Sequence, residues 1–405
     1  MITKIIENRG MNHEVSLCPP SDCTGCFACE AICSQSAISQ FIDKEGFRYP
    51  RINYEKCIGC GACERTCPVI NPIKKYQTGK IYAAWSLDDR IREKSSSGGV
   101  FSELALATLR KGGVVVGASM DVNSGYIYHS IVTSEEDLDS LRGSKYVQSN
   151  ISGSLYRSIS IILKEGRVVL FSGCPCQVAG IRSYFKDCEN LFCIDLACHG
   201  VPSPELFKMM FDELKSAVPH LEKYNFRQLK MWGSCTSPNI VVSNLRQPVL
   251  LTGKYTFYQD AYIKGYSLRS NCYSCQYSSV NRIGDISLAD FWGIGKMRPI
   301  DASYKKGCSL VSLNNERGAY LYNEIKQALF CEEREIEETI EGGNTHFQRS
   351  CDRPSERDSF YCDVKSLSID ELIIKYNLSL ISKPTIFNKI INKVYNLLRV
   401  FFRRK

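Results

Sequence analysis

Apolar and polar positions change period several times along the chain. Short apolar runs at Ile81–Trp85, Val114–Ala118, Val168–Ser172 and Leu191–Leu196 have the length and composition of strands. Between several of them the apolar residues recur at helical spacing. Gly98-Gly99 opens a helix over Val100–Leu109 and Gly112-Gly113 closes it, while Pro202, Ser203 and Pro204 introduce another near Leu206–Leu214. Further on, GDISLAD at 284–290 and Ser309–Leu313 read as strands and Tyr320–Leu329 as a helix. This alternation predicts a sheet covered by helices. The first seventy or so residues are different in texture, with turn residues throughout and hairpin-like alternation in FIDKEGFRYPRINY at 41–54. At the other end, Ile386, Ile390, Val394, Leu398 and Phe401 fall at helical spacing, with Lys389, Lys393 and Arg399 largely elsewhere.

The early segment contains an internal repeat, DCTGCFACEAICSQSAIS at 22–39 and KCIGCGACERTCPVIN at 56–71. Cys23, Cys26, Cys29 and Cys33 are spaced C-x2-C-x2-C-x3-C; Cys57, Cys60, Cys63 and Cys67 repeat that spacing. It is the run that binds 4Fe-4S clusters in bacterial ferredoxins, where the fourth thiolate of each run reaches the other cluster. One cluster is thus expected on Cys23, Cys26, Cys29 and Cys67, the other on Cys57, Cys60, Cys63 and Cys33. Gly25, Gly59 and Gly61 suit loops that pass close to a cluster. Structural zinc is the rival reading; it calls for well-separated C-x2-C pairs, which two four-membered runs overfill. Ser34 stands where such motifs often have proline, and Cys18 reads as a spare thiol.

Composition narrows the setting. The 21 cysteines occur in a chain that opens without a secretory pattern, so thiols in a reducing, cytoplasmic compartment are expected, serving as ligands rather than disulfides. Hydrophobic residues are 44% and charged residues 23%, with no apolar run of eighteen, which fits a soluble protein. The net charge of +8 is concentrated in the tail from Lys383, which has seven cations and no acid. The body is therefore near neutral, and a nucleic-acid groove is not expected. The tail itself suits either an anionic membrane surface, at the inner face, or the protein's own body.

Six blocks beyond the repeat carry a resemblance. SSSGGVFS at 95–102, RGSKYVQS at 142–149, FSGCPCQVAG at 171–180, DLACHGVPSP at 195–204, CYSC at 272–275 and GDISLADFWGIG at 284–295 occur in order. Together they resemble the beta subunits of the deazaflavin (coenzyme F-420) hydrogenase/dehydrogenase family. The fold expected is α+β to α/β: a small bacterial-type dicluster ferredoxin module over 15–75, then a mixed α/β flavin-binding domain in two parts, 80–160 and 161–330, and the basic amphipathic tail at 383–405.

The resemblance implies FAD, which exchanges electrons in pairs with substrates and singly with clusters. Ser96, Ser97, Gly98 and Gly99, just before a helix, and Lys145, Tyr146, Gln148 and Ser149 are the candidate cofactor-binding residues. Each also reads as a capped helix or an ordinary polar loop. Cys176, Cys198, Cys272 and Cys275 fall in matching blocks and are candidates for a third 4Fe-4S cluster; a zinc site or a Cys174–Cys176 dithiol are the alternatives. Cys174 stands where the family usually has threonine. Candidate catalytic residues are His199, Lys145 and Cys176, with a structural histidine as the plain alternative for His199. Arg227, Lys230 and Trp232 are candidates to face an anionic substrate, whereas Asp290, Phe291 and Trp292 read as core. Cys188, Cys193, Cys235, Cys308, Cys331, Cys351 and Cys362 read as ordinary thiols.

The expectation is an iron–sulfur flavoprotein oxidoreductase, taking electrons from a ferredoxin-like or other redox protein and acting on a small-molecule or polysaccharide-precursor substrate. It is expected as a homo-oligomer or a complex subunit. The alternative is a non-catalytic electron-transfer subunit docked on a partner oxidoreductase.

Overall fold

The computed structural model describes residues 15–378, apart from 187, 228–231, 233–237, 244 and 246. The tail at 383–405, Lys230 and Cys235 lie outside the described residues.

The repeated sequence folds twice along the same path. Helices α1 (Ala28–Ile32) and α2 (Ala62–Thr66) each begin just after a left-handed residue, Phe27 (φ 58°) and Gly61 (φ 66°), and Gly25 and Gly59 share φ 69° two residues earlier. Between the helices β1 (Ile38–Ile42) and β2 (Arg48–Ile52) pair antiparallel, Ile38 opposite Ile52. Asp43 closes the hairpin by accepting bonds from the amides of Glu45 and Phe47.

The body is built on an eight-stranded mixed sheet in the order β13-β3-β12-β11-β7-β6-β4-β5. Its members are β3 (Ile81–Ser86), β4 (Val114–Asp121), β5 (Tyr126–Val132), β6 (Val169–Gly173), β7 (Leu191–Leu196), β11 (Ile286–Asp290), β12 (Ser309–Leu313) and β13 (Leu329–Arg334). The centre, β4-β6-β7-β11, is parallel, and the flanking pairs are antiparallel. Its strands read as continuous apolar runs because helices cover both faces. Buried side chains of α4 (Val100–Arg110) pack with Val115, Leu170, Ile194 and Ile286, while α5 (Gly153–Lys164) and α6 (Pro175–Phe185) pack with Val114, Val116, Val169 and Phe171. Strands from before residue 160, β3, β4 and β5, lie in one sheet with strands from after it, and β3 is inserted between β13 and β12, so the two sequence segments share a single core.

Beside it, α7 (Pro204–Ala217) and α8 (Phe257–Ile263) pack with a small antiparallel sheet of β8 (Leu221–Asn225), β9 (Asn239–Val242) and β10 (Val249–Leu250). The N-terminal module is fastened onto this lobe. Phe47 is fully buried in the same core cluster as Phe207 and Phe211, and Ser203 Oγ donates to the Glu45 carbonyl at 2.6 Å.

Most of the strands read from the sequence appear within a residue or two. One helix does not. Residues 320–329 split between α9 (Glu316–Ile325) and the edge strand β13, because Asn315 caps the helix earlier, its side chain accepting from Gly318 N, and Leu329 begins pairing with Ser86. No helix of the described residues is long and apolar enough to cross a membrane.

Candidate functional site

Parallel strands in an open sheet present their ligand-binding crevice at their carboxyl ends. Here β4, β6, β7 and β11 end around one cavity of about 290 Å³, lined by Ala118, Gly173, Leu196 and Asp290 among others. Three groups of cysteines are arranged from the surface of the N-terminal module toward it.

In the outermost group, Cys33, Cys57, Cys60 and Cys63 line one small hollow with Val15, Ile38, Ile52 and Ile58. Cys60 is exposed, and Cys33 Sγ accepts a bond from Ala37 N at 3.3 Å. In the second group, Cys23, Cys26, Cys29 and Cys67 interact mutually. Burial, with the neighbouring thiols adding to it, pushes Cys29 well up, and Cys26 is pushed up to about 12 by burial. Cys18 is hydrogen-bonded to both Cys23 and Cys67, which lowers them to about 6 and about 7; Arg269 further favours the Cys23 thiolate.

The third group is Cys176, Cys198, Cys272 and Cys275, gathered around a pocket with His199, Arg282 and His346. Cys176 sits in the first turn of α6, Cys198 just beyond β7, and Cys272 and Cys275 on the turn after Arg269. A side chain at Gly180 of α6 would lie 2.9 Å from Cys26 Sγ, so the second and third groups are close neighbours. Asp195, fully buried, holds the scaffold of the third: it accepts from Arg282 Nη2 at 2.6 Å and from the amides of Ile283 and Gly284. Cys272 Sγ accepts from Val201 N at 3.4 Å. The thiol that Cys174 meets is Cys198, at 3.7 Å, and this bond favours the thiolate of Cys198.

These sets suit iron–sulfur clusters: four thiols apiece, amide N–H groups aimed at sulfur, and a fully buried Arg269 whose Nη2 has no protein partner beside the second set. Among the described residues no three His, Cys, Asp or Glu side chains converge on a point as for one metal ion.

The large cavity shares the Cys198–His199–Gly200–Val201 segment with the third group. Ser96, Ser97 and Gly99 line it, as do Lys145, Tyr146 and Ser149. Ser96 Oγ accepts from Ser144 N, and Tyr146 stacks on Tyr262 with centroids 5.3 Å apart. Lys145 donates to the carbonyls of Ser140 and Arg142, and burial together with Lys223 lowers it to about 7. Arg227 is paired with Asp290 at 2.6 Å, and Trp232 Nε1 donates to the same carboxylate.

Two residues grouped with the cavity on sequence grounds serve elsewhere. The Gly98 amide donates to Ser309 Oγ, and a Cβ there would lie 2.3 Å from the Ala84 carbonyl, so this glycine permits close packing against β3. Gln148 is buried against the first cysteine run, donating to Thr24 O and accepting from Arg269. Sequence reasoning missed His129, which bonds Ser149 Oγ and stacks on Phe171, and His346, whose Nε2 lies 3.0 Å from His199 Nδ1. The outer nitrogens of that pair, His199 Nε2 and His346 Nδ1, have no protein partner.

Comparison with known proteins follows this layout. Residues 22–71 match the 4Fe-4S dicluster domain model. Residues 81–156 match the N-terminal model of the coenzyme F420 hydrogenase/dehydrogenase beta subunit and 166–339 its C-terminal model. Over 226 residues the chain is 26% identical to one of the subunits of the F(420)H(2) dehydrogenase of Methanosarcina mazei, covering 52% of this chain and 63% of that protein. Over 55 residues it is 36% identical to the VorC subunit of the ketoisovalerate oxidoreductase of Methanothermobacter marburgensis, covering 13% of this chain and 70% of the other. A solved F420-reducing nickel–iron hydrogenase complex of Methanosarcina barkeri aligns with a TM-score of 0.44 and 17% identity, over 68% of this chain and 90% of its own.

Proposed function

Because this chain belongs to the coenzyme F420 hydrogenase/dehydrogenase beta subunit family and carries a dicluster domain, we propose that it is an iron–sulfur flavoprotein that takes electrons singly at its N-terminal module and delivers them in pairs at the large cavity. Clusters supply one-electron steps, and FAD converts them to two-electron chemistry. The observation that carries the reading is the Cys198–Val201 segment, which lines both the third thiol pocket and the cavity and so gives them a common wall.

The chain's own residues have distinct tasks. Cys33, Cys57, Cys60 and Cys63 hold the outer cluster, with Cys60 exposed toward a protein donor of the ferredoxin kind. Cys23, Cys26, Cys29 and Cys67 hold the next, and Cys176, Cys198, Cys272 and Cys275 the third. Tyr146, backed by Tyr262, offers an aromatic face to a flat ring, and Ser96, Ser97 and Gly99 border the polar end. His199, with Nε2 unpartnered, is the side chain suited to hold a proton at the cavity wall. A small organic substrate enters from the Lys145 side, where a second hollow adjoins the first.

A second reading, an electron-transfer subunit that turns over nothing alone, has in its favour that both named relatives are subunits. Anaerobic purification with iron, sulfide and flavin counts separates the two. Bound FAD, and turnover with an artificial donor and acceptor, support the enzyme; clusters without flavin support the subunit. Cys198→Ser is expected to remove one cluster's iron and sulfide, keep the N-terminal signals, and slow flavin reduction. Unchanged iron in that variant would refute the third site.

A further inference from the structure

Arg269 is fully buried, and its bonding is lopsided. Nε donates to the Cys23 carbonyl at 2.8 Å, and Nη1 to the Arg48 carbonyl at 3.0 Å and Gln148 Oε1 at 3.2 Å; Nη2 has no partner. Its guanidinium lies over Tyr49, 3.9 Å from the ring centroid. The other arginines exposed by no more than 2%, Arg282, Arg334 and Arg357, each pair with a carboxylate, Asp195 at 2.6 Å, Glu332 at 2.8 Å and Glu45 at 2.6 Å. Among the described residues no carboxylate forms such a pair with Arg269.

A guanidinium taken out of water without an anion is heavily penalised. The anion has to come from what Arg269 touches. A Cβ at Gly25 would lie 3.3 Å from its Cζ and Nη1, so the guanidinium rests on the loop between Cys23 and Cys26. On the other side its carbonyl accepts from Cys272 N at 2.9 Å, at the start of the turn that carries Cys272 and Cys275. Arg269 thus joins the second and third thiol groups, its guanidinium against the loop of the one and its backbone against the turn of the other. The outer hollow, around Cys33, Cys57, Cys60 and Cys63, has no lysine or arginine in its described lining.

We propose that Arg269 is the built-in counter-cation of the cluster on Cys23, Cys26, Cys29 and Cys67, a positioning residue that raises that cluster's affinity for an electron. This rests on the cluster assignment above. A 4Fe-4S cluster held by these four thiolates would gain one negative charge on accepting one electron from a one-electron protein donor, with no bond made and no proton moved. Arg269 meets that added charge at fixed range and in a site from which water is excluded. Net charge and hydrogen bonds to sulfur are the means by which a protein tunes such potentials. Transfer from the outer cluster of the N-terminal pair to the inner one would be favoured to the same extent.

The test is a mediated redox titration of the full chain, prepared anaerobically and read by electron paramagnetic resonance, with iron and sulfide counted in each sample. Three variants are compared: Arg269→Gln, Arg269→Lys and Gln148→Glu. The last leaves Arg269 in place and gives it a carboxylate at the Gln148 position. Arg269→Gln and Gln148→Glu are expected to weaken electron uptake at one N-terminal cluster at least tenfold, about 59 mV for one electron. Arg269→Lys keeps the charge and is expected to shift less than either. Iron-replete Arg269→Gln or Gln148→Glu with an unmoved midpoint would overturn the inference, as would a lysine variant shifted as far as the glutamine one. If Arg269→Gln fails to hold iron, Gln148→Glu decides. Wild-type protein without iron would overturn the cluster assignment instead.

Discussion

Replacing Asp195 with alanine tests the scaffold of the third thiol group. Asp195 Oδ1 accepts from Arg282 Nε at 3.1 Å and Nη2 at 2.6 Å, and Oδ2 from Ile283 N at 3.0 Å and Gly284 N at 2.7 Å. Neither partner of the ion pair is more than 2% exposed. Alanine leaves two interior amides without their acceptor and a buried guanidinium without its counter-charge, although Arg282 keeps Ser287 Oγ and the Tyr277, Ser279 and Leu196 carbonyls. Breaking a buried pair by removing one member costs about 3–5 kcal/mol. An orphaned amide costs roughly 1–3 kcal/mol, though such terms overlap in one network. We therefore expect Asp195→Ala to lose at least about 3 kcal/mol, by the same buried-pair figure, and Asp195→Asn less, because the amide oxygen can still accept. The assay is anaerobic urea unfolding followed by tryptophan fluorescence, with midpoints compared at a common slope. Asp195 stands three residues before Cys198, and Arg282 seven after Cys275, so third-group iron should be lost before N-terminal iron. A variant within about 1 kcal/mol of wild type, with full iron, would show that this pair does not hold the third group together.

Other perturbations probe the rest of the architecture. Gly46 has φ +85°, and a Cβ there would lie 2.4 Å from Glu205 Cβ and 2.6 Å from Ser203 Oγ. Gly46→Ala should therefore destabilise the docked module by roughly 2–4 kcal/mol in the same urea assay, combining left-handed strain with overpacking. His129 is held by burial at about 4, below its ordinary 6.5. The unfolded chain then binds more protons between those values, so its contribution to stability is full above about 6.5 and falls as pH drops toward 4. The slope is at most about 1.4 kcal/mol per pH unit for one proton. His129→Gln should flatten that dependence between about pH 6.5 and 5; an unchanged slope would show that the imidazole does not titrate on unfolding.

The parts legible in the sequence are those whose information is local. The two cysteine runs announce themselves by spacing, and their repeated left-handed positions, 25 with 59 and 27 with 61, follow from the same short loop. Strands β6 and β7 are plain apolar runs because both their faces are covered. What was not legible depends on partners far along the chain. Arg269 meets Cys23, Arg48 and Gln148, none of which it neighbours in sequence. Gln148 looked like a cavity residue because Tyr146 and Ser149 are; the backbone path between them turns it toward Thr24 instead. Gly98 reads as a cofactor-binding residue because it stands just before a helix, but its requirement is set by the Ala84 carbonyl of a neighbouring strand. His346 carries no motif, and only the fold brings it to His199.

All of the electron-transfer chemistry proposed for this chain begins with eight N-terminal thiolates that bind two iron–sulfur cubes, the fourth ligand of each run being exchanged. The paramagnetic spectrum of the dithionite-reduced protein, recorded for the single variants Cys26→Ser, Cys67→Ser and Cys60→Ser, reads that exchange. Cys67→Ser is expected to alter the same signal as Cys26→Ser and to spare the one altered by Cys60→Ser. Cys67→Ser matching Cys60→Ser, or no cluster signal in the parent protein, would contradict it.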